Sequence, residues 1–287
     1  MGLTVNPPFT YFRAMSNAFR DFEHSGWERV VAEYDAAFGR LTTQAIEPLL
    51  DAAEARPGVR LLDVASGPGY VAAAAAERGA SVVGVDFSAP MVAYAKKKHP
   101  AVEFREGDAE ALPFADDSFD SVVTNFGLLH LGRPDQALSE ACRVLRAGGK
   151  FAFTVWAKPV ETAAFGITLG AIQTHGDMNA PLPEGPPFFR FSDWAEAKQS
   201  LLKAGFADPR IKKIPQTWRL PSANALFEIM QTATVRTAGL LSRQTPEAIK
   251  SIRVMMGNAV RLYEKNGFFE LPMPAILASA GKPAGKN

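Results

Sequence analysis

An open α/β sheet, mostly parallel and covered by helices on both faces, is the fold this sequence predicts. Three observations carry the prediction. Short apolar runs alternate with helical stretches between residues 60 and 156, the rhythm of βαβ units with right-handed crossovers. The first run turns straight into a helix through Ser66-Gly67-Pro68-Gly69. Three aspartates, Asp63, Asp86 and Asp108, stand near the ends of successive runs, the edge at which such sheets bind ligands.

The first 26 residues mix Pro7, Pro8 and several aromatics without a clear period and read as an irregular arm. From about Trp27 to Ala55 the apolar residues fall three and four apart, as in Val31, Tyr34 and Phe38, and predict helix. Residues 60–65 predict the first strand, and 70–78 a helix closed by Gly79. A second strand is expected over 81–86, then a helix over 89–98 whose last turn holds three lysines that suit its dipole. Strands over 102–108 and 120–126 precede a helix over 136–145, and the fifth strand runs over 150–156.

Beyond Trp156 the rhythm breaks. Residues 157–190, rich in Gly, Pro and Phe, predict a covering loop with some helix. A helix over 191–205 takes Ser192 as N-cap and Gly205 as stop, and a strand follows near 209–219. Two late helices, 223–241 and 246–265, read as an insertion over the mouth of the sheet; Thr245 caps the second and Pro246 starts it. A last strand is expected over 274–280. The chain divides into an N-terminal helical arm or cap (1–44) and an α/β domain (45–287) with covering insertions at about 157–190 and 222–268.

Composition narrows the functional classes. With 47% apolar and 21% charged residues over 287 positions, the chain has ample material for a core. Thirty-one basic residues against 30 acidic ones leave net +1, no footprint for nucleic acid or an anionic membrane. The single cysteine, Cys142, excludes an internal disulfide framework and a cysteine metal cage. No two of the four histidines share ligand spacing, so no metal is expected. With no apolar run of membrane-spanning length and no signal-peptide start, the expected setting is the cytoplasm.

Gly67 and Gly69 let backbone approach a ligand closely, and the helix that follows offers free N–H groups. Gly67-x-Gly69-x-x-Ala72 also satisfies a dinucleotide pattern, with Asp86 as the ribose acid, so an NAD-dependent oxidoreductase stays open on the glycines alone. Asp63 argues against it, because a carboxylate four residues before the first glycine repels pyrophosphate and suits a cationic amino group. Asp86 suits a ribose diol, Asp108 an adenine amino group, and the Ala109 N–H the adenine ring. Together these groups describe S-adenosylmethionine.

At this point a resemblance is legible. LLDVASGPG, VVGVDFSAPMV, FREGDAEALPF, FDSVVTNFGLLHL and RVLRAGGKFAFTVW, over roughly residues 45–156, resemble the successive motifs of class I S-adenosylmethionine-dependent methyltransferases. The nearest type is the group of ubiquinone and menaquinone C-methyltransferases. The resemblance implies a Rossmann-like sheet of seven strands with the last antiparallel. Ala65 departs from the pattern, which usually has a glycine there. Carried over residue by residue, the resemblance implies Asp63, Ala65 and Gly67 around the methionine end, Ser66 and Gly69 among the cofactor-binding residues, and Asp86 on the ribose. It further implies Phe87 and Met91 beside the adenine, Asp108, Ala109 and Glu110 along its edge, and Asn125 with Phe126 closing the site. Core packing is the plainer account of Phe87 and Met91, and a solvated loop that of Glu110.

Methyl transfer needs a general base only where the acceptor arrives protonated. His130, five residues beyond Asn125, is the candidate, against a structural histidine bonded to its loop. Tyr34, Trp156 and Phe189 are candidate walls of a pocket for a small apolar or aromatic acceptor, and Arg190 and Arg236 could meet a carboxylate. Oxygen is the favoured acceptor atom, with carbon and nitrogen as alternatives, and a catalytically silent nucleotide-binding module is the reading from another class. Asn6-Pro7-Pro8-Phe9 imitates a motif of amino-methylating enzymes but lacks the strand that must precede it.

Overall fold

The structure, a computed structural model, describes the backbone of residues 9–284 and the side chains of residues 17–284. Three helices open it: α1 (Phe9–Arg29), α2 (Val31–Thr42) and α3 (Ile46–Ala52). The first replaces the expected irregular arm. Its inward stripe is Phe19, Glu23, Gly26 and Trp27, all buried and spaced as one helix face. A charged residue inside that stripe breaks the apolar period, which is why the helix was not legible. Asn6, Pro7 and Pro8 lie outside the described residues.

The alternating segment folds as β1 (Arg60–Val64), α4 (Tyr70–Glu77), β2 (Ser81–Asp86), α5 (Ala89–Lys98), β3 (Glu103–Glu106), β4 (Phe119–Asn125), α6 (Pro134–Val144) and β5 (Leu145–Trp156). The remainder adds α7 (Ala163–His175), α8 (Trp194–Lys203), β6 (Ala207–Ile214), β7 (Thr217–Leu220), α9 (Ala225–Thr232), α10 (Arg236–Leu241), α11 (Pro246–Arg261), β8 (Glu264–Lys265), β9 (Phe268–Pro272) and β10 (Ala275–Gly281). Seven strands form one sheet in the order β3-β2-β1-β4-β5-β10-β6, with β10 antiparallel to both neighbours. The parallel registers set Asp63 beside Gly84 and Val123, and Asp86 beside Glu106, so the carboxyl ends of β1, β2 and β4 open on one edge. Leu61, Leu62, Phe119, Phe153 and Leu145 are fully buried beneath that edge, each contributing about 1.5–3 kcal/mol. Among the described residues no helix is long and apolar enough to cross a membrane.

Four local expectations change. Asp193, not Ser192, caps α8, because its carboxylate accepts from both the Ala195 and Glu196 N–H groups and also suits the dipole; the Ser192 hydroxyl donates instead to Phe189 O. The strand expected near 209–219 is two strands, parted at Pro215 and Gln216, and β7 leaves the main sheet for a three-stranded one with β9 and β8. The late insertion holds three helices, not two. Its last helix stops early because Asn266 and Gly267, with φ of 50° and 78°, make the tight turn that joins β8 to β9. Val235, in the break between α9 and α10, lies so close to Gly26 that a Cβ there would come within 2.4 Å of it. The insertion therefore packs directly on α1.

Gly69 shows what the strand-to-helix turn requires. Its φ is +85°, and an added Cβ would stand 2.6 Å from Phe104 Cζ. Gly69→Ala combines left-handed strain with overpacking and is expected to lower stability by about 2 kcal/mol or more. Urea unfolding measures this, and an unchanged midpoint would refute the argument.

Candidate functional site

Three adjoining cavities open at the carboxyl edge of the sheet, and Tyr34 from α2 lines all of them. The first, of about 770 Å³, takes its floor from Asp86, Phe87, Met91, Asp108 and Ala109, and α1 supplies a wall of Arg20, Glu23 and Trp27. The second, of about 430 Å³, lies along the glycine turn against Asp63, Ser66 and Pro68. Ala65, Gly67 and Asn125 line both. The third, also about 430 Å³, is walled by Phe38, Trp156, Phe165, Phe188 and residues 233–237, and shares Trp27, Phe126 and His130 with the first.

Backbone geometry explains the turn. Ala65 takes φ +53° and Gly67 +49°, left-handed values that reverse the chain between β1 and α4. Ala65 holds at a position where glycine is free of strain, and Gly127 makes room for it: a Cβ on Gly127 would stand 2.7 Å from Ala65 Cβ. Gly69, expected at the ligand, lines none of these cavities and packs against Phe104.

The two inner acids are poised for a ligand. Asp63 is fully buried; one carboxyl oxygen accepts from Ala72 N–H at 3.1 Å, and Oδ1 has no partner among the described residues. The Ser66 hydroxyl beside it is likewise buried and unpaired among the described residues. Burial pushes the Asp63 carboxyl up to about 8, with the Asp86 charge adding to the rise. Burial also raises Asp86, although the Ser88 and Gly67 N–H groups, at 3.0 and 2.8 Å, work the other way. Two buried acids held above their usual range fit a ligand that brings a cation and hydroxyl donors, as an amino acid joined to a nucleoside does.

A pH dependence follows. Asp63 holds its proton more tightly folded than unfolded, so the stability it contributes is complete below its ordinary value of 3.8 and is lost as pH rises toward about 8. The ligand-free chain is expected to melt at lower temperature at pH 8 than at pH 5, and Asp63→Asn to reduce that difference. Parallel melting curves for the two chains would refute the assignment.

The outer acids are engaged within the protein. Asp108 accepts from Arg20 through one oxygen and from Glu110 N–H through the other. Glu110, expected at a ligand's edge, spends both oxygens on Arg133, at 2.7 Å to its N–H and 2.8 Å to its Nε. Asn125 donates to Thr42 O and accepts from Thr154, so it ties β4 to α2 and β5. Phe126, with φ +56°, stacks on Trp156 at 4.0 Å between ring centres. Phe188, not Phe189, faces the third cavity, and Phe189 packs edge-on behind it. Arg190 is taken by Asp135 and Glu196. Arg236 is taken by Glu23 and two backbone carbonyls, so neither arginine stands ready for a substrate carboxylate.

His130 ends a short 3-10 turn where the first and third cavities meet. Its Nδ1 lies 3.0 Å from Glu23 Oε2, and its Nε2 has no hydrogen-bond partner among the described residues. Trp27 and Phe188 pack edge-on to the imidazole at 4.6 and 5.7 Å. Burial holds His130 below its ordinary value, against the upward pull of Glu23. Sequence reasoning missed Arg20 and Glu23. The signal that could have found them is one charged residue in an otherwise apolar stripe, four positions before a tryptophan.

Residues 62–153 match a family model described as a methyltransferase domain. A demethylmenaquinone methyltransferase from Renibacterium salmoninarum is 44% identical over 111 residues, which cover 39% of this chain and 47% of that protein. One from Beutenbergia cavernae is 46% identical over 110 residues, 38% of this chain and 46% of that protein. The chain thus spans about half the length of these curated relatives. A phosphoethanolamine N-methyltransferase from Haemonchus contortus, solved with phosphomonomethylethanolamine and S-adenosylhomocysteine, has the same fold. It aligns with a TM-score of 0.56 and 21% identity over 92% of this chain and 60% of that one.

Proposed function

We propose that the chain, whose residues 62–153 match a methyltransferase domain, transfers a methyl group from S-adenosylmethionine to a hydroxyl oxygen of a small aromatic acceptor. The observation that carries the reading is His130, whose Nε2 stands without a partner among the described residues between a cavity lined by acids and a cavity lined by aromatic rings.

When bound, S-adenosylmethionine supplies an electrophilic methyl group on a sulfonium. Asp86 would hold the ribose hydroxyls, Asp63 and Ser66 the amino-acid end, and Phe87 with Met91 the adenine faces. Trp156, Phe126, Phe165 and Phe188 would orient a flat acceptor and exclude water, which is much of what an in-line displacement requires. His130 Nε2 would take the hydroxyl proton as the oxygen attacks, leaving an imidazolium whose Nδ1–H stays on Glu23. Because Arg236 and Glu23 neutralise each other, the pocket suits an uncharged phenol better than a carboxylic acid.

The names of the relatives favour a second reading, methylation of a ring carbon on a hydroquinone. The same base serves it, since loss of the phenolic proton also activates the adjacent carbon. Incubation with methyl-labelled S-adenosylmethionine and a panel of naphthols, catechols and naphthohydroquinones tests both, with NMR of the product giving the methylated atom. Label transferred to phenolic oxygen supports the proposal, label on carbon replaces it with the second reading, and a cofactor-binding chain that labels no acceptor overturns both.

A further inference from the structure

Glu23 is fully buried and lies outside the matched domain. Its Oε2 accepts from His130 Nδ1 and Trp27 Nε1, both at 3.0 Å, and its Oε1 accepts from Arg236 Nε at 2.7 Å. Arg236, from α10, also donates through Nη2 to Leu129 O, the carbonyl just before His130. A carboxylate and a guanidinium from two peripheral elements therefore converge on one imidazole whose far nitrogen borders two cavities.

We propose that Glu23 is a positioning residue for His130, and that Arg236 limits how far its charge acts. The proposal rests on the methyl-transfer reading above. A carboxylate at Nδ1 selects the tautomer with the proton on that nitrogen and leaves the Nε2 lone pair toward the cavities. An unopposed Glu23 would also draw a proton onto the ring and leave a base already occupied. Arg236 on the opposite oxygen spends part of that charge, so the buried imidazole stays neutral and able to accept. The charged groups that face His130 are Glu23 from α1 and Arg236 from α10; Trp27 from α1, Tyr34 from α2 and Phe188 present neutral rings. The matched domain thus carries the base, while the elements that condition it come from the N-terminal helix and the late insertion.

Opposite variants make this testable. Long-range ¹H–¹⁵N NMR of the ¹⁵N-labelled 287-residue chain reads the tautomer and titration midpoint of His130 without any acceptor. The wild type is expected to show the Nδ1-protonated tautomer. Glu23→Gln should lower the midpoint and Arg236→Gln raise it, each by about one unit, while Arg236→Lys stays near wild type. In the methyl-transfer assay the acid limb of the pH profile should move in the same opposite senses. Glu23→Gln should also lose about 10- to 100-fold in kcat with little change in cofactor KM.

An Nε2-protonated wild type, or midpoints that stay put or move together, would overturn the proposal. Because the tautomer is read on the wild type, a variant that fails to fold does not remove the test. Midpoints that move oppositely in a chain that methylates no acceptor would sink the methyl-transfer reading and leave the positioning standing. Methylation with immobile midpoints would do the reverse.

Discussion

An Asp86→Ala chain is expected to lose the stabilisation that S-adenosylmethionine and S-adenosylhomocysteine confer on the wild type. At one hundred times the dissociation constant that stabilisation is about 2.7 kcal/mol, several degrees in a thermal melt of a domain this size. Asp86 is 5% exposed at the end of β2, lines the first cavity, and sits above its usual protonation range because it is buried. A ribose diol would supply the donors that offset that burial. Removing the acid also strands the Gly67 and Ser88 N–H groups, at about 1–3 kcal/mol each, so the ligand effect is read as the shift of each chain from its own ligand-free melt. Asp86→Asn keeps the volume and should fall between the two. Equal ligand stabilisation of wild type and Asp86→Ala would refute the assignment, and stabilisation by NAD in place of the two sulfur ligands would return the dinucleotide reading.

His130→Ala should separate binding from turnover. General-base catalysis contributes about 10²- to 10⁴-fold, so kcat toward a weakly acidic phenol should fall by that factor while S-adenosylhomocysteine still stabilises the chain. Two checks distinguish lost proton transfer from a damaged pocket. Acceptors with more acidic hydroxyls should lose less, because they arrive already ionised. Added imidazole should restore part of the rate, since the substitution leaves a space between the Trp27 and Phe188 rings. A uniform loss across acceptors, without rescue, would make His130 a structural histidine whose bond to Glu23 only holds α1 in place.

The legible part of this molecule is the part governed by local rules. β2 and α5 stand at their expected bounds because a short apolar run, the Ser88 cap and Pro90 act within a few positions of one another. Asp63, Asp86 and Asp108 were findable because parallel strands bring their ends to one edge. Gly69 was misread because one residue type serves both close ligand approach and left-handed backbone, and only the position of Phe104 separates the two. Glu110 lines the first cavity as expected, but its pairing with Arg133 was not legible because that partner lies 23 positions away on another loop.

The meeting of Glu23 and Arg236 beside His130 was beyond a reading of the chain alone. Glu23 and Arg236 are 213 positions apart, and although Arg236 was a candidate for a substrate carboxylate, nothing in either helix points to the other. Nothing local distinguishes a buried, shared carboxylate from a solvated one, because desolvation is a property of everything packed around it. The alternation of strands and helices over 60–156 and the acids on the sheet's open edge are written in the local pattern of the chain, since hydrophobic period and turn chemistry act over a few residues. The tertiary structure alone decided that α1 and the late insertion meet over that edge and deliver a carboxylate and a guanidinium to His130, because only packing sets which distant charges share one buried space.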